Sequence, residues 1–376
     1  MHKRIKIFVD AHSFDKELQG AQTFIRELYT AILQNHPSID IYLGAYHTDR
    51  IRVSFPGLAE KNILQYKNTG LRRLFSDIPS FIKKHEFDYA HFQYIAPRQI
   101  NNCKYIVTLH DLMYLERPQD FSKLYVQTRR IFFRRSFMKA FLKTTVSEHS
   151  KKSISKYFGT NSSDIHVIPN AANHSFKKQF PSKDHSVKLV KEKYGVENFI
   201  LYVSRIEPRK NHILLLKKYL QHELYKQNIP LVFIGSRSIA VPELDMMLNA
   251  LTEEQSRYIF MFSNIPQEDL YAFYASCRLF VYPSKGEGFG IPPLEAAFCG
   301  APVLCSNVTA MQDFYFFQPY AFYPDNEKEF EEKFIDMINN PVSEDFINKV
   351  SLSVREKYCW LKSAATFCNI LQTASI

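Results

Sequence analysis

Two carboxylates, Glu287 and Glu295, flank a glycine-rich turn in the stretch SKGEGFGIPPLEA, and their types and spacing suit a ligand that bears hydroxyl groups. The glycines of this turn let backbone N–H groups approach a ligand closely. Pro292 and Pro293 favour the first turn of a helix, and Glu295 is expected in the same turn. The N-terminus of a helix attracts phosphate. A nucleotide-sugar carries both phosphate and hydroxyls. The alternative is an ordinary strand-to-helix turn with two solvated glutamates.

A pair of cations, Arg205 and Lys210, lies on either side of a second predicted turn. Arg205 ends the apolar run FILYVS, a predicted strand, and Lys210 follows in the stretch EPRKN. Asn211 is predicted to cap the helix that begins at Ile213. An arginine fork together with a lysine point charge suits a diphosphate. A solvated basic turn is the alternative.

A polar pair, His110 and Asp111, directly follows the predicted strand at residues 105–109. Open α/β sheets place ligand-binding groups at the carboxyl ends of their strands. Asp111 is expected to orient the imidazole of His110, as carboxylates commonly do. The alternative is a hydrogen-bonded structural histidine.

A single glycine, Gly20, precedes a predicted helix that has Phe24, Leu28 and Ile32 on one face. A dinucleotide site would need three glycines at GxGxxG spacing, so this part of the chain argues against a dehydrogenase. A plain helix N-terminus would also explain Gly20.

The stretch EGFGIPPLEA, followed by CGAPV, resembles the signature of retaining glycosyltransferases of family 4, also called glycosyl transferases group 1. The stretches EPRKN and TLHDL are similar to further family features in the same order. The resemblance implies an α/β protein of the GT-B fold, with two Rossmann-like domains whose parallel sheets face each other across a cleft. It implies no metal and no cofactor.

The resemblance also implies roles for individual residues. Arg205 and Lys210 would neutralise the leaving diphosphate, Glu287 would hold sugar hydroxyls and Glu295 ribose hydroxyls. His110, with Asp111, would contact the donor sugar, and Gly235 would border the nucleotide base. The catalytic residues implied are His110, Asp111, Arg205, Lys210 and Glu287. The donor-binding residues implied are Gly20, Arg205, Lys210, Gly235, Glu287, Gly288, Phe289, Gly290, Ile291 and Glu295.

The combination of TLHDL, VSEHS and EPRKN is most similar to bacterial mannosyltransferases that act on polysaccharide or O-antigen precursors. This implies transfer of a hexose, first of all mannose from GDP-mannose, to a glycan or lipid-linked glycan acceptor with retention at the anomeric carbon. Two alternatives stay open. One is a sugar-nucleotide epimerase or hydrolase of the same fold, and the other is a non-enzymatic basic module that binds lipid or nucleic acid.

The length of 376 residues predicts two domains. We expect an N-terminal acceptor-side domain at 1–175, a nucleotide-sugar domain at 187–355 and a C-terminal helix at 356–376 that packs toward the first domain. The polar stretch at about 174–186 is the expected linker. The six cysteines form no CxxC and no metal-type spacing with histidine, which favours reduced, buried thiols and a cytoplasmic location.

The net charge of +10 favours an anionic partner, and basic and aromatic residues alternate at helical spacing through residues 122–143. This stretch predicts either an ordinary surface helix or a basic amphipathic surface that rests on anionic lipid at the inner face of the cell membrane. No recognised nucleic-acid motif accompanies it, so nucleic acid is not an expected partner. The apolar run at residues 5–9 predicts a first strand and not a signal peptide.

Overall fold

The structure, a computed structural model, describes residues 4–15, 20–100, 102–172 and 182–374. The chain forms two compact units. The first consists of Met1–Ala171 together with Tyr358–Ile376, and the second of Ala172–Lys357. Most of the linker expected at 174–186 lies outside the described residues.

The first unit contains a seven-stranded parallel sheet in the order β3-β2-β1-β4-β5-β6-β7. The central strands are largely buried and mostly apolar, as parallel sheets covered on both faces require. The strands are β1 Ile5–Asp10, β2 Ile39–Ala45, β3 Ile63–Gln65, β4 Tyr89–Gln93, β5 Lys104–Leu109, β6 Leu142–Thr145 and β7 Ile165–Val167. The helices before the second unit are α1 Gly20–Asn35, α2 Thr48–Ser54, α3 Asp77–His85, α4 Met113–Glu116, α5 Lys123–Met138 and α6 Glu148–Phe158.

The second unit contains a six-stranded parallel sheet in the order β10-β9-β8-β11-β12-β13. Its strands are β8 Ile200–Val203, β9 Leu231–Ile234, β10 Ile259–Phe262, β11 Leu279–Tyr282, β12 Val303–Ser306 and β13 Ala321–Phe322. Its helices are α7 Lys183–Tyr194, α8 His212–Gln221, α9 Pro242–Asn249, α10 Glu253–Ser256, α11 Gln267–Ser276, α12 Ile291–Phe298, α13 Glu327–Asn339 and α14 Glu344–Lys357. Short 3-10 turns include Pro208–Lys210 and Thr309–Asp313.

The last helix, α15 Trp360–Thr373, belongs to the first unit and packs against α1. The buried indole of Trp360 makes an edge contact with Phe24, with 6.0 Å between the ring centroids. The Ser363 hydroxyl donates to the carbonyl oxygen of Pro169 at 2.8 Å, and the Tyr89 hydroxyl donates to that of Leu371 at 3.0 Å. The end of the chain therefore covers the apolar face of α1.

Two details of the predicted elements were wrong. The helix expected through 122–143 ends at Met138, and Leu142–Thr145 forms strand β6. Glu295 is the fifth residue of α12 and so lies beyond its first turn, whereas Pro292 and Pro293 do occupy that turn.

No helix among the described residues combines the length and the apolar character that a bilayer span requires. All six cysteines are free thiols.

The ends of β8 and β9 approach each other closely at Gly235. A Cβ atom on Gly235 would lie 2.0 Å from the carbonyl oxygen of Ser204, and the φ of Gly235 is +153°. Both the contact and the backbone conformation exclude a side chain here.

We expect Gly235→Ala to lower the free energy of unfolding by about 3 kcal/mol, because the new methyl group must push β8 and β9 apart. Urea unfolding followed by circular dichroism measures the change. Gly57→Ala is the matched control, since a Cβ atom at Gly57 meets nothing within 4 Å. A loss no larger than that of the control would contradict the steric argument.

Candidate active site

The candidate site lies at the carboxyl edge of the second sheet, where β8 and β11 are neighbours although two strands separate them in sequence. The strand order reverses at this point. Open α/β sheets bind ligands where such a reversal opens a crevice beyond the strand ends. The loop at 204–211 follows β8, and the loop at 283–290 follows β11. The fold therefore brings the EPRKN and EGFGIPP stretches together.

The carboxylate of Glu287 is the centre of a buried polar cluster. Its Oε1 accepts hydrogen bonds from the hydroxyls of Ser284 at 2.6 Å and Tyr282 at 3.0 Å, and it pairs with Lys210 Nζ. Its Oε2 lies 3.1 Å from Arg209 Nη1. Burial raises the pKa of Glu287, but Lys210 and Arg209 outweigh that effect and hold the pKa at about 2. Glu287 is therefore ionised at neutral pH.

Lys210 is a buried cation with two partners in the cluster. Its Nζ pairs with Glu287 and donates to the Tyr282 hydroxyl oxygen at 3.2 Å, with the Tyr282 ring centroid 5.5 Å away. Burial lowers the pKa of Lys210, and the neighbouring Glu287 opposes this shift. The Tyr202 hydroxyl is also bound to the Lys210 carbonyl oxygen at 2.5 Å, which fixes the backbone.

Arg209 and Glu207 also belong to the site. Both lie in the EPRKN stretch, but sequence reasoning gave them no role. Arg209 Nη1 also donates to the Gly286 carbonyl oxygen at 2.7 Å, and its Nε lies 3.1 Å from Glu207 Oε2. The buried Glu207 pairs through Oε1 with Arg205 Nη2 at 3.1 Å. Arg205 is half exposed. Cations and carboxylates therefore alternate along one network of ion pairs, in the order Arg205, Glu207, Arg209, Glu287 and Lys210.

The glycine-rich loop is held from both sides. The Glu287 N–H donates to the Thr309 hydroxyl at 2.8 Å, and the Lys285 N–H donates to the Arg209 carbonyl oxygen at 2.8 Å. Gly290 has a φ of +99° just before α12, and a Cβ atom there would meet Met311 and Phe314 at 3.3 Å. Gly288, Phe289, Gly290 and Ile291 thus form the entry to the α12 N-terminus, as the motif predicted.

Three further residues singled out in the sequence of the second unit make contacts with residues other than Glu287. Glu295 on α12 accepts a hydrogen bond from the Tyr274 hydroxyl at 3.0 Å. Gly235 lies against the backbone of Ser204, next to Arg205. Asn211 precedes α8 in a left-handed conformation, with φ of +57°, but its side chain makes no capping hydrogen bond. The prediction of an Asn211 cap was wrong, because Asn211 has a left-handed conformation in place of the extended one that capping residues typically adopt.

His110, Asp111 and Gly20 belong to the first unit. His110 Nε2 lies 2.6 Å from Gln93 Oε1, and burial lowers the pKa of His110 to about 4. Asp111 Oδ1 accepts from the Met113 N–H at 3.0 Å. Sequence reasoning did not identify Gln93 as a partner of the His110 ring. Gly20 is the first residue of α1.

The predicted residues therefore form two sets. Arg205, Lys210 and Glu287 are joined through Glu207 and Arg209, and the loop at 288–291 continues directly from Glu287. The second set, His110 with Asp111, lies at the end of β5 in the other unit. Within the described residues, no group of three or more His, Cys, Asp or Glu side chains could hold a metal ion.

Two family models match consecutive parts of the chain. The model described as Glycosyltransferase Family 4 matches residues 18–176, and the model described as Glycosyl transferases group 1 matches residues 186–351. The chain is 34% identical over 211 residues to O-antigen chain mannosyltransferase B of Escherichia coli, covering 55% of this chain and 54% of that protein. It is 30% identical over 224 residues to O-antigen chain mannosyltransferase RfbU of Salmonella typhimurium, covering 59% and 57%. The chain thus spans about half the length of these curated relatives.

A solved structure, sucrose-phosphate synthase from Thermosynechococcus elongatus, superposes with a TM-score of 0.77 at 17% identity and covers 98% of this chain and 99% of that one. This likeness and the two parallel sheets confirm the predicted GT-B class with two Rossmann-like units. The chain belongs to the glycosyltransferase family that the two models describe, with the Glycosyltransferase Family 4 segment followed by the Glycosyl transferases group 1 segment.

Proposed function

We propose that the protein is a retaining, metal-independent hexosyltransferase of bacterial surface polysaccharide synthesis. Its donor is a nucleotide-diphosphate sugar, first of all GDP-mannose, and its acceptor is a glycan or lipid-linked glycan. Two relatives are O-antigen chain mannosyltransferases, and their activities support mannose as the sugar and a polysaccharide pathway. The resemblance of the EGFGIPPLEA motif to that of retaining enzymes supports retention at the anomeric carbon.

The buried cluster of Lys210, Arg209 and Glu287 is the observation that supports this function most directly. It lies at the point of strand reversal, beside the N-terminus of α12. When the bond between the sugar and the diphosphate breaks, negative charge develops on the leaving phosphate. Cations that are already fixed in a poorly hydrated site stabilise this charge at no cost of reorganisation. Lys210, Arg209 and the half-exposed Arg205 would supply them in place of a metal ion.

Different parts of the donor would bind different segments of the chain. Gly288, Phe289, Gly290 and Ile291 would present backbone N–H groups to the sugar and phosphate, and Glu295 would hold the ribose. Gly235 would leave room for the base at the end of β9. From the first unit, His110 would contact the donor sugar, with Asp111 beside it, and Gly20 would let the chain approach the phosphates.

Glu287 has a second proposed task besides holding sugar hydroxyls. Each of its carboxylate oxygens already binds protein donors, so Glu287 competes with the diphosphate for Lys210 and Arg209. We propose that this competition keeps the nucleoside diphosphate product from binding too tightly.

The first test is transfer of mannose from GDP-mannose to a lipid-linked glycan, measured as GDP release and as labelled product. We expect Lys210→Gln to lower turnover by about 10²–10³-fold, because one fixed cation no longer stabilises the leaving group. The control is Lys188→Gln on α7, an exposed lysine. Equal turnover without acceptor would favour the hydrolase or epimerase alternative. Unchanged turnover in Lys210→Gln would contradict the proposed role of the cluster.

A binding experiment tests the second task of Glu287. We expect Glu287→Gln to bind GDP about tenfold more tightly, because removing one negative charge leaves Lys210 and Arg209 free for the diphosphate, and a tenfold change corresponds to about 1.4 kcal/mol. Isothermal calorimetry with GDP, which has no sugar, measures the effect. Glu197→Gln, which disrupts an exposed pair with Lys191, is the control. Weaker GDP binding would show instead that Glu287 mainly holds the cations in position.

Helix α5 supports the proposed contact with an anionic membrane. Residues 122–143 contain seven basic and no acidic side chains. Leu124, Ile131 and Met138 recur every seventh residue on the solvent side of the helix, and 72%, 64% and 36% of their surfaces are exposed. Arg130 and Arg134 are also exposed on α5. An apolar stripe between cations suits insertion at the headgroup level of a bilayer.

Sedimentation with lipid vesicles tests this contact. We expect Arg134→Gln to lower partition into vesicles with anionic lipid about fivefold, since each basic residue at such a surface contributes about 1 kcal/mol. Arg257→Gln, which changes an exposed arginine of the second unit, should leave partition unchanged. Equal partition into purely zwitterionic vesicles would contradict an electrostatic contact.

A further inference from the structure

A chain of buried polar side chains leads from the inside of the first unit to His110. Strands β4 and β5 are parallel neighbours, so Gln93 at the end of β4 lies beside His110 at the end of β5. His91, two residues before Gln93, projects to the same side of the sheet. Gln93 bridges the two histidines, with Nε2 at 3.2 Å from His91 Nε2 and Oε1 at 2.6 Å from His110 Nε2.

His91 has partners on both ring nitrogens. Its Nε2 lies 2.7 Å from the Thr108 hydroxyl oxygen, and its Nδ1 lies 2.7 Å from the Tyr29 hydroxyl oxygen. The Thr108 hydroxyl is bound in turn to that of Thr144 at 2.6 Å. His91 and Thr108 have no exposed surface, and Gln93 has 3%. Burial lowers the pKa of His91 to about 3, so its ring is neutral and has a single N–H.

The orientation of the Gln93 amide determines the direction of its two hydrogen bonds to the histidines. An amide nitrogen only donates, so His91 Nε2 must accept from Gln93, and the proton of His91 lies on Nδ1. The amide oxygen of Gln93 is then directed to His110. Because a carbonyl oxygen only accepts, His110 Nε2 must carry the proton. His110 is neutral at pH 7, since burial lowers its pKa to about 4, and Nδ1 therefore keeps its lone pair.

We propose that Gln93, oriented by His91, is a positioning residue that holds His110 as its Nε2–H tautomer and leaves Nδ1 to accept a hydrogen bond from a ligand hydroxyl. The Phe24 ring packs edge-on against the imidazole at 5.2 Å between centroids and supports the same orientation. The inference rests on the proposed function, in which His110 contacts the donor sugar. A sugar hydroxyl can both donate and accept, and in the tautomer held by Gln93 it acts as the donor to His110 Nδ1.

The tautomer can be measured without any activity. In protein with ¹⁵N-labelled histidine, imidazole ¹⁵N shifts separate a protonated ring nitrogen from a bare one, and comparison with His110→Phe assigns the signals. We expect the wild-type His110 to show a protonated Nε2 and a bare Nδ1 at pH 7. The opposite pattern in the wild type would overturn the proposal, whether or not the protein transfers sugar.

The variant Gln93→Met removes both hydrogen-bonding groups and keeps a side chain of similar length. We expect His110 to show mixed tautomers in this variant and kcat for transfer to fall by up to about 10²-fold, because the ring loses its fixed geometry. Gln65→Met is the matched control, since Gln65 also ends a strand of this sheet but is exposed.

The outcomes separate this inference from the proposed function. Unchanged His110 signals and unchanged kcat in Gln93→Met would refute the positioning role. Absence of transfer by the wild-type protein would refute the proposed function, while the tautomer measurement would still decide on Gln93. A purely structural role of Gln93 would lower stability and leave the tautomer of His110 as it was. If Gln93→Met does not fold, the wild-type spectrum alone still tests the assignment.

Discussion

The buried carboxylate of Glu287 and its four protein donors form the contact on which the second unit's site depends. Removing an ion from water costs several kcal/mol, and losing one partner of a buried pair destabilises a protein by about 3–5 kcal/mol. The ion pairs of Glu287 are therefore stable only where all of its partners are held in position. The reversal of strand order between β8 and β11 supplies that geometry, because it places two loops from distant parts of the chain side by side.

The same cluster has the charge that a diphosphate site requires. Its three cations, Arg205, Arg209 and Lys210, exceed its two carboxylates, Glu207 and Glu287, by one. The charges of the cluster are therefore nearly balanced, so it can be buried, yet its excess positive charge attracts an anion. Arg205 is the most exposed of the cations and is the one that an approaching phosphate would meet first.

The sequence predicted strands β1, β5 and β8 and the residue types at the site, because buried parallel strands are apolar runs and because glycine, proline and charged residues mark the loops between them. It did not predict the pairing of Lys210 with Glu287, since 77 positions separate them and only the strand order brings them together. Arg209 and Gln93 were missed for the same reason: their roles depend on a partner contributed by another strand or loop. The helix expected through 122–143 was too long, because basic and aromatic residues continue with similar spacing into β6.

The position of α15 has a consequence for synthesis on the ribosome. Domains commonly fold in order of translation, the N-terminal one first. Here the first unit needs Trp360 and Phe367 on α15 to cover α1 and His91, and the ribosome must translate the whole second unit before these residues exist. The contiguous second unit can therefore finish folding before the first. Until then the apolar face of α1 is open to chaperones, and a chain interrupted shortly before residue 360 would retain that exposed surface permanently.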